Sequence, residues 1–282
     1  MMKRGLQEAG HDVRLVRPPA RLGRLANGET ELGKWLGYID RFLLYPPTLR
    51  RQAAWADVVH ICDQANAMYV SVLRERPHVL TCHDMLAISA AQGDVPEIKV
   101  RWTGRIYQRW ILDGIRKAQR IVCVSQQTAR EVRAYAEVAE DRLAVVPNAL
   151  NYPYRPMEPD EAAERLRALG LDPARPFFLH VGGNQWYKNR AGVVRLYAEL
   201  VEHSRFGDHA LVMAGKPWTP ELRQLVAEFG LQGRVAELTG ASNEDLRALY
   251  SRAEALLFPS LQEGFGWPII EAQACGCPVV TT

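Results

Sequence analysis

Short apolar runs alternate with longer amphipathic segments through the first half of the chain. The apolar runs lie at residues 58–61, 79–82 and 121–124. The amphipathic segments that follow them lie at residues 67–73, 98–115 and 128–135. Parallel strands joined by crossover helices give this alternation. The first half is therefore predicted to be an α/β domain with a parallel sheet.

The second half repeats the alternation. Its apolar runs lie at residues 177–181, 211–214, 235–238, 256–258 and 279–280, and its helical segments at residues 193–201, 222–229 and 246–250. Ser125 and Thr219 each precede a predicted helix, where a hydroxyl can accept a hydrogen bond from an amide of the first turn. Pro220 then stands at the first helical position, which favours proline. A second α/β domain is predicted.

A proline-rich segment separates the two series. Residues 151–159 contain Pro153, Pro156 and Pro159, which resist both helix and strand interiors. The predicted domains are therefore residues 1–153 and residues 154–282. Ligands of open parallel sheets bind beyond the carboxyl ends of the strands. Two doubly wound domains that face each other are expected to form a ligand-binding cleft.

The composition is that of a globular protein. Of the 282 residues 48% are hydrophobic and 24% charged, and no apolar run is long enough to cross a bilayer. The N-terminus has a basic start without the apolar core of a secretory signal, so a cytoplasmic location is expected. A net charge of +3 is too small to favour nucleic acid as a partner.

The cysteines are scattered rather than paired. Small core residues are a better interpretation of them than disulfides or metal ligands. They are Cys62, Cys82, Cys123, Cys275 and Cys277.

The most informative segment is residues 259–271, which follow a predicted buried strand and enter a helix. Gly264, Phe265 and Gly266 expose backbone amides near the positive end of that helix. Glu263 and Glu271 flank them, and carboxylates bind the vicinal hydroxyls of a sugar or a ribose. The alternative is a solvated Glu263 and a Glu271 that only interacts with the helix dipole.

These residues resemble the signature of family-4 retaining glycosyltransferases of the GT-B fold. The similarity lies in the two glutamates separated by seven residues, and in five further segments found in the order of the family. The further segments are His83-Asp84, Val124-Ser125-Gln126-Gln127-Thr128, Val146-Pro147-Asn148-Ala149, Ala214-Gly215 and Ala274-Cys275-Gly276-Cys277-Pro278-Val279-Val280. The resemblance covers nearly the whole chain. It implies two Rossmann-like domains, an acceptor-side domain followed by a donor-binding domain.

The resemblance also assigns roles to the donor-site residues. Glu271 would hold the ribose of a UDP- or GDP-sugar, while Glu263 and the amides of Phe265 and Gly266 would hold the transferred sugar. Lys188 matches the family lysine that contacts the donor diphosphate. A glycine turn after a strand and a nearby helix start favour an anion there independently, although a loop lysine can also be merely solvated.

Near this lysine the sequence departs from the family pattern. Gly182 and Gly183 form the turn, and Gly183 stands where many family members carry a second cation, an arginine. Asn184 or Arg190 are the candidates to replace it. His83 matches a family histidine near the transferred sugar, and a core or capping histidine is the alternative.

The resemblance implies a metal-independent reaction without a cofactor. Departure of a nucleoside diphosphate is the difficult step, and Lys188 with backbone dipoles would stabilise the developing charge. No Asp-x-Asp tripeptide occurs in the sequence. The resemblance further implies retention of anomeric configuration, by front-side attack without a covalent intermediate, and a glycan or lipid-linked acceptor.

Three other functions are alternatives to sugar transfer. A nucleotide-sugar epimerase of the same fold would also use acidic residues, but the Glu-Gly-Phe-Gly stretch argues against it. A nicotinamide dehydrogenase would need a Gly-x-Gly-x-x-Gly fingerprint, which Gly182-Gly183-Asn184 does not continue. The third alternative is an inactive fragment that only binds a nucleotide sugar.

The ends of the sequence suggest missing elements. Residues 6–13 are predicted to form the end of a helix, a stop at Gly10 and a strand, and residues 278–282 a buried strand. The resemblance implies further elements before and after them. We therefore expect exposed sheet edges, weak stability and little or no transfer by this chain.

A stripe of arginines marks the first domain. Arg101, Arg105 and Arg109 lie at helical spacing, close to two tryptophans. Peripheral contact with the inner face of a membrane is one interpretation. A solvated arginine stripe over a buried aromatic face is the other.

Overall fold

A computed structural model describes residues 2–25, 30–73 and 75–282. The chain divides into two compact units, the first ending at Asn148 and the second spanning Ala149–Thr282. Residues 151–159, predicted to be a linker, belong to the second unit, where the buried Tyr154 and the partly buried Tyr152 pack into its core. Within the described residues, no helix is both long enough and apolar enough to span a bilayer.

The first unit is a parallel sheet with helices. Its strands are β1 (Val59–Ile61), β2 (His78–Cys82), β3 (Arg120–Cys123) and β4 (Leu143–Val145), in that order across the sheet. Its helices are α1 (Met2–Glu8), α2 (Glu31–Ile39), α3 (Tyr45–Ala53), α4 (Val70–Leu73), α5 (Leu86–Gln92), α6 (Trp102–Lys117) and α7 (Gln126–Ala136). A π-helical turn, Asp40–Leu44, joins α2 to α3, and a 3₁₀ turn, Gln64–Tyr69, precedes α4.

The three strands predicted from the apolar runs of this half are confirmed, and all pairs in the sheet are parallel. The sequence pattern missed β4. The strand predicted after Gly10 is wrong, because residues 11–20 have no regular secondary structure. The predicted cap of α7 is confirmed, since the Thr128 amide donates to Ser125 Oγ at 3.1 Å.

The second unit has five parallel strands. They are β5 (Phe177–Gly182), β6 (Ala210–Gly215), β7 (Val235–Thr239), β8 (Ala255–Phe258) and β9 (Val279–Thr281). Its helices are α8 (Pro159–Ala168), α9 (Arg190–Glu202), α10 (Pro220–Glu228), α11 (Asn243–Arg252) and α12 (Trp267–Ala274). The strand order is β7-β6-β5-β8-β9. The five predicted strands and the cap of α10 by Thr219 are thus confirmed.

The strand order creates a switch point between β5 and β8. The chain winds outward from β5 to β7 and then returns to the other side of β5. Loops that follow adjacent strands on either side of such a reversal diverge, which opens a crevice at the carboxyl ends. Both faces of this sheet are covered, with Leu179 and Val212 in one buried cluster and Phe178 and Leu211 in another.

Four of the five cysteines are buried, as predicted. The prediction is wrong for Cys62, which is exposed. Cys62 follows the last residue of β1, where the strand has left the core. Burial raises the pKa of Cys123 and of Cys277 to about 11, so these two thiols are poor nucleophiles.

Candidate functional site

An ion pair lies at the switch point of the second sheet. Lys188 Nζ is 2.5 Å from Glu263 Oε1, although 75 residues separate the two along the chain. Lys188 belongs to the loop after β5 and Glu263 to the loop after β8, so the strand order brings them together. Their side chains are only 15% and 23% exposed. The structure therefore joins two of the predicted site residues directly.

Backbone and amide hydrogen bonds hold the two loops together. Asn189 Nδ2 donates to the Pro259 carbonyl at 3.0 Å, and the Leu261 amide donates to the Tyr187 carbonyl at 2.8 Å. Asn189 also caps α9, because its Oδ1 accepts from the Gly192 amide at 3.2 Å. Its left-handed backbone, φ +50°, suits an asparagine. The position of Lys188 is thus fixed from both sides.

Two aromatic rings lie near the ammonium group of Lys188. Its Nζ lies 5.2 Å from the centroid of Phe258 and 5.5 Å from that of Tyr187. Cation–π attraction supplements the ion pair, and the rings reduce access of water. The lysine is therefore a partly buried cation, and the solvated alternative is wrong.

Glycines allow a close approach of the chain at the ends of β5 and β6. A Cβ on Gly215 would overlap the Gly182 carbonyl oxygen, and one on Gly182 would lie 2.9 Å from His180 Nε2. A Cβ on Gly183 would overlap the side-chain oxygen of Gln185. Only glycine fits these places without a shift of the neighbouring atoms.

Arg190 is a buried cation beside this turn. Its Nη1 donates to the Lys216 carbonyl at 3.0 Å and to Asn184 Oδ1. Asn184 Nδ2 in turn donates to the Pro217 carbonyl at 2.8 Å. Within the described part of the chain, Arg190 Nε and Nη2 are buried without a hydrogen-bond partner. Burial lowers the pKa of Arg190, and the negative charge of Glu237 opposes this.

Other buried polar atoms without a partner among the described residues lie at the ends of the same strands. Such atoms are rare in folded proteins, and each calls for an explanation such as contact with a ligand. Those at this edge, besides the arginine, are His180 Nε2, Trp186 Nε1, Trp218 Nε1 and Ser260 Oγ.

His180 is the most buried of these groups. Burial lowers its pKa to about 4, and the charges of Arg190 and Lys188 contribute in the same direction, so the ring is neutral at pH 7. Nδ1 lies 3.0 Å from the Leu257 carbonyl and therefore carries the proton, which makes Nε2 an acceptor. Sequence reasoning missed His180, although a histidine within an apolar strand run was a visible signal.

Glu271 lies in the first turns of α12 and is 7% exposed. Tyr250 of α11 donates its hydroxyl to Glu271 Oε2 at 3.0 Å. Burial raises the pKa of Glu271, while the Tyr250 hydrogen bond opposes the shift. The two predicted carboxylates thus have different partners, Lys188 for one and Tyr250 for the other.

The predicted glycine loop lies between them. Gly266 is the N-cap of α12, with φ +83°, which glycine adopts readily. Phe265 packs edge-on against Trp267, with their ring centroids 5.6 Å apart. Gly264 precedes these two in the loop. The loop therefore leads directly into the amino end of the helix that carries Glu271.

His83 lies in the first unit, directly after β2. Its Nε2 is 2.9 Å from the Cys62 carbonyl, and its amide donates to Gln64 Oε1 at 2.9 Å. Because a carbonyl only accepts, Nε2 carries the proton and Nδ1 is an acceptor. The ring links the ends of β1 and β2, which fits the capping alternative as well as a role toward a ligand.

Family models match both units. The model described as Glycosyltransferase Family 4 matches residues 1–152, and the model described as Glycosyl transferases group 1 matches residues 162–282.

Curated relatives are similar over most of the chain. O-antigen chain mannosyltransferase B of Escherichia coli is 29% identical, over 84% of this chain and 60% of that protein. D-inositol 3-phosphate glycosyltransferase of Nocardia farcinica is 32% identical, over 82% of this chain and 52% of that protein. The chain thus spans between about half and three fifths of the length of these relatives.

Solved structures share the fold. WaaG, a glycosyltransferase involved in lipopolysaccharide biosynthesis, matches with a TM-score of 0.70 and 18% identity, over 99% of this chain and 75% of its own. HepE from Anabaena, in complex with UDP-glucose, matches with a TM-score of 0.68 and 19% identity, over 99% of this chain and 69% of its own.

Proposed function

This chain belongs to the family-4, group 1 glycosyltransferases, and from that premise we propose that it carries the donor site of a retaining, metal-independent hexosyltransferase. The proposed donor is a UDP- or GDP-sugar, and the proposed acceptor is a glycan or a lipid-linked glycan. No cofactor takes part. The proposed location is the cytoplasm, at the inner face of the membrane where the acceptor is lipid-linked.

The observation that carries the proposal is the Lys188–Glu263 pair at the switch point. A nucleotide sugar presents a diphosphate, which seeks a cation, next to sugar hydroxyls, which seek acceptors. Lys188 and Glu263 offer these two functions 2.5 Å apart. HepE, whose structure contains UDP-glucose, has the same fold, which supports a donor of this class.

In the proposed reaction the protein stabilises the leaving group. The bond between the anomeric carbon and the diphosphate oxygen breaks as the acceptor hydroxyl oxygen bonds to that carbon from the same face. The acceptor proton passes to a departing phosphate oxygen. Lys188 and the amides of the glycine turn stabilise the charge that develops on the phosphate, in a place where rings and loops limit water.

Glu271 is proposed to bind the ribose. An ionised carboxylate can accept from two vicinal hydroxyls, and its Oε2 already accepts from Tyr250. Buried donors suit the rest of the nucleotide, because phosphate oxygens are acceptors and the unpartnered atoms of Arg190 and Trp186 are donors. Arg190 thus supplies the second cation, which many family members carry as an arginine at the position of Gly183.

Calorimetry on the whole chain tests the proposal. UDP and GDP are titrated in the presence of a chelator, and uridine and guanosine serve as comparison ligands. Lys188→Ala should weaken diphosphate binding about 10- to 100-fold, the value of a charge-assisted hydrogen bond, and leave nucleoside binding unchanged. Lys117→Ala, an exposed lysine of α6, is the control. Equal losses for both ligand types, or binding that requires manganese, would contradict the assignment.

A further inference from the structure

The pairing between β5 and β8 ends before either strand does. Within the described residues, β5 pairs with β8 only at Phe178 and Leu179, whereas it pairs with β6 along its whole length. β5 itself continues to Gly182 and β8 to Phe258. Strand pairing therefore stops short of the ends from which the two loops of the candidate site emerge.

The side chain of His180 bridges the two strands where this pairing stops. His180 is the next residue of β5 after Leu179, and its Nδ1 donates to the Leu257 carbonyl of β8 at 3.0 Å. A ring nitrogen thus takes the place of a backbone amide as the donor between the strands. The residue is 0% exposed, so water does not compete for this hydrogen bond.

The other edge of the ring lies beside the glycine turn. His180 and Gly182 are two residues apart in β5 and lie on the same face of the sheet. A Cβ on Gly182 would lie 2.9 Å from His180 Nε2 and 3.6 Å from Lys188 Cβ. The ring therefore contacts β8 through one edge and supports the turn next to Lys188 with the other.

Packing alone does not account for a histidine at this position. An apolar ring would fill the same space without the cost of burying polar nitrogens. The histidine differs in two ways, because its Nδ1 donates to β8 and its Nε2 lone pair lies in a region made positive by Lys188 and Arg190. Both differences concern the geometry of the candidate site.

We propose that His180 is a positioning residue for binding of the donor diphosphate. The ring holds β8 through Nδ1 and supports the glycine turn on its other edge, and so sets the width of the crevice in which Lys188 meets the diphosphate. The inference rests on the proposed donor site. Because the ring is fully buried, His180 acts through the position of Lys188 and does not touch the nucleotide.

Calorimetry of the whole chain with UDP and GDP tests the proposal at the two ring nitrogens. Asparagine places an amide nitrogen where Nδ1 lies, whereas the amide of glutamine lies at the distance of Nε2. His180→Asn should therefore bind the diphosphates within about 2-fold of the wild type. His180→Gln and His180→Phe should bind them about 3- to 10-fold more weakly, the value of one neutral hydrogen bond. Uridine and guanosine, which lack phosphate, should bind equally to all variants.

A double-mutant cycle separates positioning from a general loss of packing. If His180 acts through Lys188, then Lys188→Ala should cost about 3- to 10-fold less in the His180→Phe background than in the wild type. Independent effects would instead be additive. His78→Phe is the matched control, because His78 is a buried strand histidine of the first unit whose Nδ1 lies 2.9 Å from the Arg76 carbonyl. It should leave diphosphate binding unchanged.

The outcomes distinguish the role of His180 from the donor site itself. Additive losses in the cycle, or equal binding by His180→Asn and His180→Gln, would overturn the positioning role alone. If Lys188→Ala does not weaken diphosphate binding in an otherwise wild-type chain, the proposed donor site fails and the role of His180 fails with it. Circular dichroism establishes that each variant is folded, and His180→Gln replaces His180→Phe in the cycle if the latter does not fold.

Discussion

Lys188 and Glu263 satisfy each other in the candidate site. A donor that places its diphosphate at Lys188 and its sugar at Glu263 must break the 2.5 Å ion pair between them. A nucleoside diphosphate without the sugar breaks the same pair but leaves Glu263 without a new partner. The pair therefore opposes binding of the free diphosphate more than binding of the complete nucleotide sugar.

Glu263→Gln should therefore affect the free diphosphate and the complete nucleotide sugar differently. The variant should bind UDP or GDP about 5-fold more tightly in calorimetry, because a partly exposed pair of about 1 kcal/mol no longer competes for the lysine. Binding of the complete nucleotide sugar should gain less, since the amide binds sugar hydroxyls less strongly than a carboxylate. Glu228→Gln, an exposed glutamate of α10, is the control for the change in charge. Weaker diphosphate binding by Glu263→Gln would refute the competition.

Glu271 poses a conflict between folding and function. Its pKa is raised above the ordinary 4.5 by burial. The folded state therefore holds the proton more tightly than the unfolded state, and ionisation above the raised pKa costs folding free energy. The ribose assignment nevertheless requires the ionised form.

We therefore predict that Glu271→Gln increases the free energy of unfolding in urea at pH 7 and weakens nucleotide binding. The gain in stability should shrink as the pH falls through the raised pKa, and vanish below 4.5, where both states of the wild type are protonated. The Tyr250 hydrogen bond survives, because the glutamine oxygen accepts it. A stability gain that persists unchanged at pH 4 would show that ionisation is not its cause.

The residues of the candidate site could be predicted from the sequence only in part. Glu263, Glu271 and Lys188 follow from local motifs, and so does the glycine loop. The ion pair does not, because the adjacency of β5 and β8 depends on strand order rather than on local pattern. Arg190 and His180 acquire their character from burial at that same edge, which a loop or strand position does not reveal.

At the scale of elements, periodicity located most strands and helices. It missed β4, a run of only three residues with an exposed alanine in its middle, which has too little apolar content to stand out. It also predicted a strand at residues 11–13, which have no regular secondary structure, although Val16, three residues further along, packs on the core without pairing to the sheet. Apolar contact and strand pairing are separate requirements, and the pattern reports only the first.

The packing of α6 on the 3₁₀ turn before α4 gives an element-scale prediction. A Cβ on Gly114 would overlap the Ala67 carbonyl oxygen, which belongs to a buried backbone and cannot simply rotate away. Gly114→Ala should therefore lower the free energy of unfolding by about 1–3 kcal/mol in urea denaturation.

Gly37→Ala in α2 is the matched control, because nothing lies within 4 Å of its Cβ position. There the loss of chain entropy in the unfolded state should stabilise the protein by about 0.4–1 kcal/mol. If both alanines stabilise, the close contact between α6 and the turn is incorrect.

At the scale of the whole molecule, two successive strand–helix series predicted two parallel-sheet domains, and both are present. The two sheets differ in winding, however. The first is wound in one direction, β1-β2-β3-β4, whereas the second reverses between β5 and β8. The direction in which a crossover helix carries the chain depends on which face and edge of the sheet are left to cover. The alternation of strands and helices along the sequence is the same for the two kinds of winding and does not reveal this direction.

Separate cores predict that a donor-site ligand stabilises one unit alone. Leu179 and Val212 report on the core of the second unit, and Leu80 and Ile121 on that of the first. At a UDP or GDP concentration of 100 times Kd, binding stabilises the unit that contains the site by about 2.7 kcal/mol. Core amides that exchange through unfolding of that unit should then exchange about 100-fold more slowly, measured by hydrogen exchange and mass spectrometry. Peptides covering β2 and β3 should exchange at an unchanged rate. Equal protection of both cores would mean that the two units unfold as one.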